Sequence, residues 1–339
     1  MNRLRKGYVA GLLLGLRSIR EMVVAGLLGF ALTHCCRLMK RAESETAWRE
    51  RLSIAPRSGY LAVDFIKLKH EGNCIEGVDR QFTPDGIEWG HRFTTSALVF
   101  TDEQDPYTLR ADAAPSERMA SKEYPYLTAS EAMLNVVGDV LLSGYELKGV
   151  VVDAEFTNKL TLRSLPHFPV GVIGRFRSNI KVAYQGQTLQ ARELAEQFRP
   201  GKARYYRKLG CYAKRLTVAL PQVGKLDLLF LWFRHQLTWK LSILVSTITA
   251  GVQELVKAYK ARWGLEVMHR TLRQNLALAT CQCFAFAAQL RHLDWCITAL
   301  HHIRLERQRD PTLSWKQAQK LAAQQAGNAL LTEVNQWAA

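Results

Sequence analysis

The sequence predicts a mixed α/β fold: strands and helices in the order β-β-β-α-β-α-β, with a β-rich insertion and helical segments at both ends. Three observations carry this. Residues 59–100 hold three β-rich segments separated by turn residues. A capped, apolar helix opens at Thr128. Two short, nearly all-apolar segments, 147–156 and 169–176, flank a short helical stretch, as strands covered on both faces do.

Taken in order, residues 1–55 read as helical, with ten Lys or Arg and four Glu. The apolar runs 8–16 and 22–33 are separated by Arg17, Arg20 and Glu21. Neither reaches the roughly 20 residues of a membrane span. Arg3, Arg5 and Lys6 ahead of an apolar stretch resemble a leader, but no small-residue cleavage site follows closely. Two helices of a small bundle are expected. Segments 59–68, 74–82 and 87–100 form a meander, with turns at His70 to Asn73 and at Thr83-Pro84-Asp85-Gly86. Residues 101–127 read as a polar loop. Thr128 and Glu131 make a capping box, and the helix stops near Gly144. Strand 147–156, helix 157–165 and strand 169–176 complete the unit. Short loops and right-handed crossovers set the first strand beside the fourth. Asp64, midway on the first, then neighbours Asp153, at the end of the fourth. Residues 177–245 form the strand-rich insertion, a long helix spans 251–278, and 283–339 holds further helices. The chain therefore divides at 1–55, 56–176, 177–245, 246–282 and 283–339.

Charge points to a polyanionic partner. Lys and Arg number 46 against 30 Asp and Glu, a formal net charge of +16. Residues 175–215 hold 11 Lys or Arg and two acids, interleaved with Phe176, Tyr184, Phe198, Tyr205, Tyr206 and Tyr212. Cations for phosphates beside rings that stack suit a nucleic-acid track, with Arg175, Arg177, Lys181, Arg204, Arg207 and Lys208 as candidate contacts. A strand-rich surface with half-buried aromatics has the same composition. Seven scattered Cys imply no disulfide framework and fit a reducing cytoplasm. Cys281, Cys283, Cys296, His301 and His302 lack the spacing of a zinc ribbon or finger and lie in an apolar helical stretch.

The helix 251–278 is the most informative segment. Val252, Leu255, Val256, Tyr259 and Trp263 recur at spacings of three and four, and Glu266 falls on the same face. A carboxylate aimed at a core is costly unless compensated. Arg262 and Arg270 lie one turn to either side and Arg273 two turns on. Those cations, or a metal, would keep Glu266 ionised. A half-buried salt-bridge network is the other reading.

Tyr259-x2-Arg262-x3-Glu266-x6-Arg273 resembles the Tyr–Arg–Glu–Lys signature of bacterial insertion-sequence transposases of the DDE cut-and-paste type. The text AYKARWGLEVMHRTLRQNL, preceded by SILVST, is similar to that family throughout, with Arg273 in place of the Lys. The resemblance covers residues 58–280. It implies a ribonuclease-H-like fold, and it implies that Asp64, Asp153 and Glu266 are catalytic carboxylates holding Mg²⁺, or Mn²⁺ in its place. Two such ions about 3.5–4 Å apart would activate water or a 3′-hydroxyl and stabilise the leaving oxygen. Phe65 and Ile66 follow Asp64 where the family often has Asp or Thr; Asp79 and Asp85 are the alternative first acids. By the same resemblance Tyr259, Arg262 and Arg273 would grip terminal phosphates, and Trp239 would stack on a flipped base. A core role is the alternative for Trp239. Expected partners are the terminal inverted repeats and target DNA, bound by a homodimer that synapses two ends, with neither membrane nor small-molecule substrate. Two other readings remain: a decayed or domesticated transposase that only binds DNA, and another ribonuclease-H-like nuclease such as a junction resolvase.

Overall fold

Which face each strand residue occupies follows from a period of two, and that alternation organises the computed structural model. It describes residues 2–338 apart from 29–30, 42–44, 57, 72–73, 84–85, 103–104, 199 and 282. The expected turn residues Asn73, Pro84 and Asp85 therefore lie outside the described residues. Four helices come first: α1 (Asn2–Leu13), α2 (Ile19–Val24), α3 (Leu32–Arg41) and α4 (Glu45–Ser53). The second apolar run does not make a single helix, because Gly26 at φ +73° follows the end of α2.

The meander consists of β1 (Gly59–Lys69), β2 (Asp79–Thr83) and β3 (Gly86–Val99). β2 starts later than the 74–82 segment because Gly77, at φ +79°, turns the chain just before it. The expected loop 101–127 contains a fourth strand, β4 (Tyr107–Ala113), paired with β3. Its charges hid it: Arg110 is satisfied by Asp112 and by Asp139 of the following helix. That helix, α5 (Ala129–Leu142), opens on the Thr128–Glu131 capping box, and Gly144 at φ +76° follows its end.

β5 (Leu147–Val152), α6 (Lys159–Ser164) and β6 (Val172–Arg175) form the strand–helix–strand unit. The basic segment supplies β7 (Lys181–Tyr184), β8 (Gln187–Gln190), α7 (Ala191–Glu196), β9 (Arg204–Tyr206), β10 (Cys211–Leu220), β11 (Gly224–His235) and β12 (Thr238–Ser246). Four helices close the chain: α8 (Val252–Ala261), α9 (Trp263–Asn275), α10 (Phe286–Arg309) and α11 (Trp315–Ala338).

All strands join one open, mixed sheet in the order β2-β3-β1-β5-β6-β12-β11-β10-β7-β8, with β4 beside β3 and β9 beside β10. β5 is parallel to both β1 and β6, whereas β3 and β12 are antiparallel to their neighbours. The basic insertion is thus hydrogen-bonded to the core through β12. Ala62, Ile66 and Val151 face a core shared with α1, α9 and α10; Leu61, Val63, Val150 and Val152 face one shared with α5. Buried Arg51 ties α4 to the rest, donating to the Leu109 carbonyl, Thr298 and Asp294. Among the described residues no helix is long and apolar enough to cross a membrane.

Candidate active site

Two neighbouring strands and a helix break build the site. Alternation sends Asp64 to the same face as Ala62 and Ile66, the face on which α9 packs. Asp153 lies two residues beyond Val151 and just past the end of β5. Val63 pairs with Val152 in parallel register, so the next residue on each chain is one of the two aspartates. The turn after Asp153 is closed locally. The Phe156 N–H donates to the Asp153 carbonyl at 3.1 Å, and the Thr157 hydroxyl donates to the Arg175 carbonyl. A Cβ on Gly174 would lie 2.0 Å from Thr157 Cγ2, so glycine is required where this turn meets β6.

Glu266 arrives from the helical layer. The expected continuous helix 251–278 is interrupted at Arg262, between α8 and α9. The apolar stripe is interrupted too: Leu255 and Val256 are buried, but Trp263 is 54% exposed. At the break the Arg262 side chain, itself buried, donates to Asp64 Oδ2 at 3.2 Å and to Glu266 Oε1 at 2.8 Å. Its guanidinium also lies 5.7 Å from the centroid of the Tyr259 ring. Burial alone would weaken the charge on Arg262, but Tyr259 and the carboxylates Asp153, Asp64 and Glu266 outweigh it and hold the guanidinium protonated. Arg262 is the cation common to all three acids.

Electrostatics single out Asp64. Burial pushes its carboxyl up to about 6; Arg262 and the Phe65 N–H, 2.8 Å from Oδ1, oppose the rise, while Asp153 and Glu266 add to it. In the unfolded chain the group titrates near 3.8. Across the interval from the unfolded to the folded value, the folded state keeps a proton that the unfolded state releases, so stability falls as pH rises and stays lower above it. Denaturant titrations of wild type and Asp64→Asn across this window should differ in slope. The variant should lack a component of about 2 kcal/mol; parallel curves would show that Asp64 is not held protonated.

The residues fit a divalent cation. Their donors are oxygens, as Mg²⁺ prefers. Asp153 Oδ1 is buried with no hydrogen-bond partner, and Asp64 is short of compensating positive charge. Among the described residues no three acidic, His or Cys side chains already surround one point. Asp64 and Asp153 are the oxygen-donor pair that could hold one, with Glu266 held by Arg262.

Other expected residues fall around this centre. Arg175 influences the Tyr259 phenol, which burial pushes up, with Arg262 opposing the rise. Arg273 does not join the acids; it donates to the Lys67 carbonyl at 2.9 Å. Arg177, Lys181, Arg204, Arg207 and Lys208 are exposed, as is Arg175. Trp239 is 44% exposed rather than in the core, edge-on to Tyr212 at 5.4 Å, which lies 5.0 Å from Tyr205. Asp79 is away from the cluster, bound to Ser116 and Arg118, and Asp85 lies outside the described residues. Glu266 takes its hydrogen bond from Arg262 rather than Arg270. Phe65 is directed to the opposite face, against Phe156 at 5.0 Å and beneath Arg92 at 4.5 Å, which accounts for an aromatic at that position.

One positioning residue escaped the sequence reading. His269 Nε2 lies 2.7 Å from the Thr95 hydroxyl, which donates to the Asp64 carbonyl at 3.1 Å. Burial, reinforced by Arg273 and Arg262, holds the imidazole down at about 3, so it is neutral and ties α9 to β1 and β3. Its only signal was its place three residues after Glu266. Compared with known proteins, the chain matches no protein-family model and no curated protein.

Proposed function

We propose that this protein is a DDE-type DNA transposase that cleaves transposon ends and joins them to target DNA. The observation that carries the reading is Arg262 bridging Asp64 and Glu266, from segments far apart in sequence, with Asp153 at the end of the strand paired to that of Asp64. The strand order β4-β3-β1-β5-β6, with β5 parallel to both neighbours, supports a ribonuclease-H-like core. Asp64 and Asp153, assisted by Glu266, would hold Mg²⁺ or Mn²⁺, which supplies activation of water or a 3′-hydroxyl and stabilisation of the leaving oxygen. Arg262 and Tyr259 would orient the scissile phosphate, with Arg273 on its flank. The exposed cations of the insertion would hold flanking DNA, and Trp239, beside Tyr212, offers a ring to an unstacked base. A homodimer would bring two ends together, and the scattered cysteines of the sequence fit action in a reducing cytoplasm.

One observation favours a second reading, DNA binding without catalysis: Glu266 is turned to Arg262, and no ready three-ligand group exists among the described residues. Incubating DNA that carries the gene's flanking inverted repeats with Mg²⁺ or Mn²⁺ separates the two. Nicking at the repeat boundary, lost in Glu266→Gln while DNA affinity persists, is the expected result. Folded wild type that binds this DNA and never cuts it would favour the binding protein.

A further inference from the structure

We infer a second polynucleotide track, on the side of the carboxylates opposite the basic insertion. This rests on the DNA reading above and extends it from the signature helix to a strand and hairpin outside the basic insertion. Two clefts, of about 370 and 390 Å³, share Arg273 as a common wall. The first begins at Glu266 and includes Arg270; the second runs along the far end of β1 and the β2–β3 hairpin, past Lys67, Lys69 and Trp89.

The cations come in two pairs, one on a helix and one on a strand. Arg270 and Arg273 are three residues apart on α9, so they share a helix face, and both are exposed. Lys67 and Lys69 lie two apart on β1 and project, exposed, to the sheet face opposite Asp64 and Ile66; Arg273 joins them at the second cleft. Arg273 donates to the Lys67 carbonyl at 2.9 Å, joining helix to strand, and Lys67 Nζ donates to the Phe82 carbonyl at 2.8 Å. Bonds to carbonyls fix both cations without neutralising them. Lys69 is the member whose charge is offset, by Glu88 at 2.7 Å.

Sheet order fixes the direction. From Asp64 on β1, the insertion is reached through β5, β6 and β12, whereas this track lies toward β3 and β2. A nucleic-acid strand that presents a phosphate to the carboxylates therefore meets cations on both flanks. The insertion takes one side of the scissile phosphate, and the Arg270, Arg273 and Lys67 clefts take the other.

Salt dependence of DNA binding tests this without knowledge of a recognition sequence. Fluorescence anisotropy with a labelled duplex of about 40 base pairs, between about 50 and 200 mM salt, gives a slope of log affinity that counts displaced counterions. Lys67→Ala with Arg270→Ala should flatten that slope by about 2 and weaken binding at low salt. Arg204→Ala with Lys208→Ala, in the insertion, is the parallel variant. Both pairs are exposed, and unchanged thermal melts by circular dichroism establish that each variant folds. An insertion pair that flattens the slope beside a Lys67/Arg270 pair that leaves it unchanged would overturn the second track and leave the DNA reading standing. Wild type without salt-dependent binding would overturn both.

Discussion

Asp153→Asn should cut cleavage by at least about a thousandfold, equivalent to about 4 kcal/mol of transition-state stabilisation, and should also make the metal-free protein more stable. Both effects have one origin. Asp153 Oδ1 is buried without a partner, and its charge works against ionisation of Asp64. In the absence of a bound cation, such an oxygen costs stability without contributing structure, the usual signature of a side chain kept for function. Asparagine has nearly the same shape, removes the charge and discards a hard anionic donor. Cleavage assays and thermal melts on the same preparations decide the matter. A variant that is less stable than wild type, yet still cuts, would make Asp153 a structural residue.

Arg262→Ala should act in the opposite sense, lowering the metal-free unfolding free energy by about 3 kcal/mol. The substitution removes hydrogen bonds to Asp64 and Glu266 and the guanidinium that faces the Tyr259 ring. It leaves Asp64 and Glu266 without their shared cation, and loss of one member of a buried ion pair is expensive. Arg262→Lys should recover only part of this, because an ammonium lacks the planar fork that reaches two acids at once. Added Mg²⁺ should raise the melting temperature of Arg262→Ala more than that of wild type, since the ion replaces missing positive charge. Equal melts for wild type and alanine variant, in chelator, would show that Arg262 does not hold the site together.

Much of the site was legible because its residues sit in regular elements. Val150 to Val152 announce a doubly buried strand, so Asp153 stands out as a carboxylate placed where the apolar run stops. Glu266 stands out because a period of three and four marks a face and an acid interrupts it. What failed had physical reasons as well. β4 went unseen because Arg110 and Asp112 look like loop residues until Asp139, from another element, completes their network. The helix break at Arg262 was missed although Gly264 lies two residues on, because what holds it is a bond from Arg262 to an acid on a distant strand. Trp239 could not be assigned to core or surface, because exposure in a hairpin depends on what packs across it.

Sequence alone determined the order of most elements, the caps of α5 and the basic character of 175–215. These follow from local chemistry: periodicity, turn residues and charge are properties of neighbours along the chain. Tertiary structure alone decided that the insertion extends the central sheet through β12, that His269 fastens α9 to β1 through Thr95, and that Arg262 stands among the carboxylates. Each depends on groups tens to hundreds of residues apart meeting in a low-dielectric setting, where one ion pair outweighs local preference.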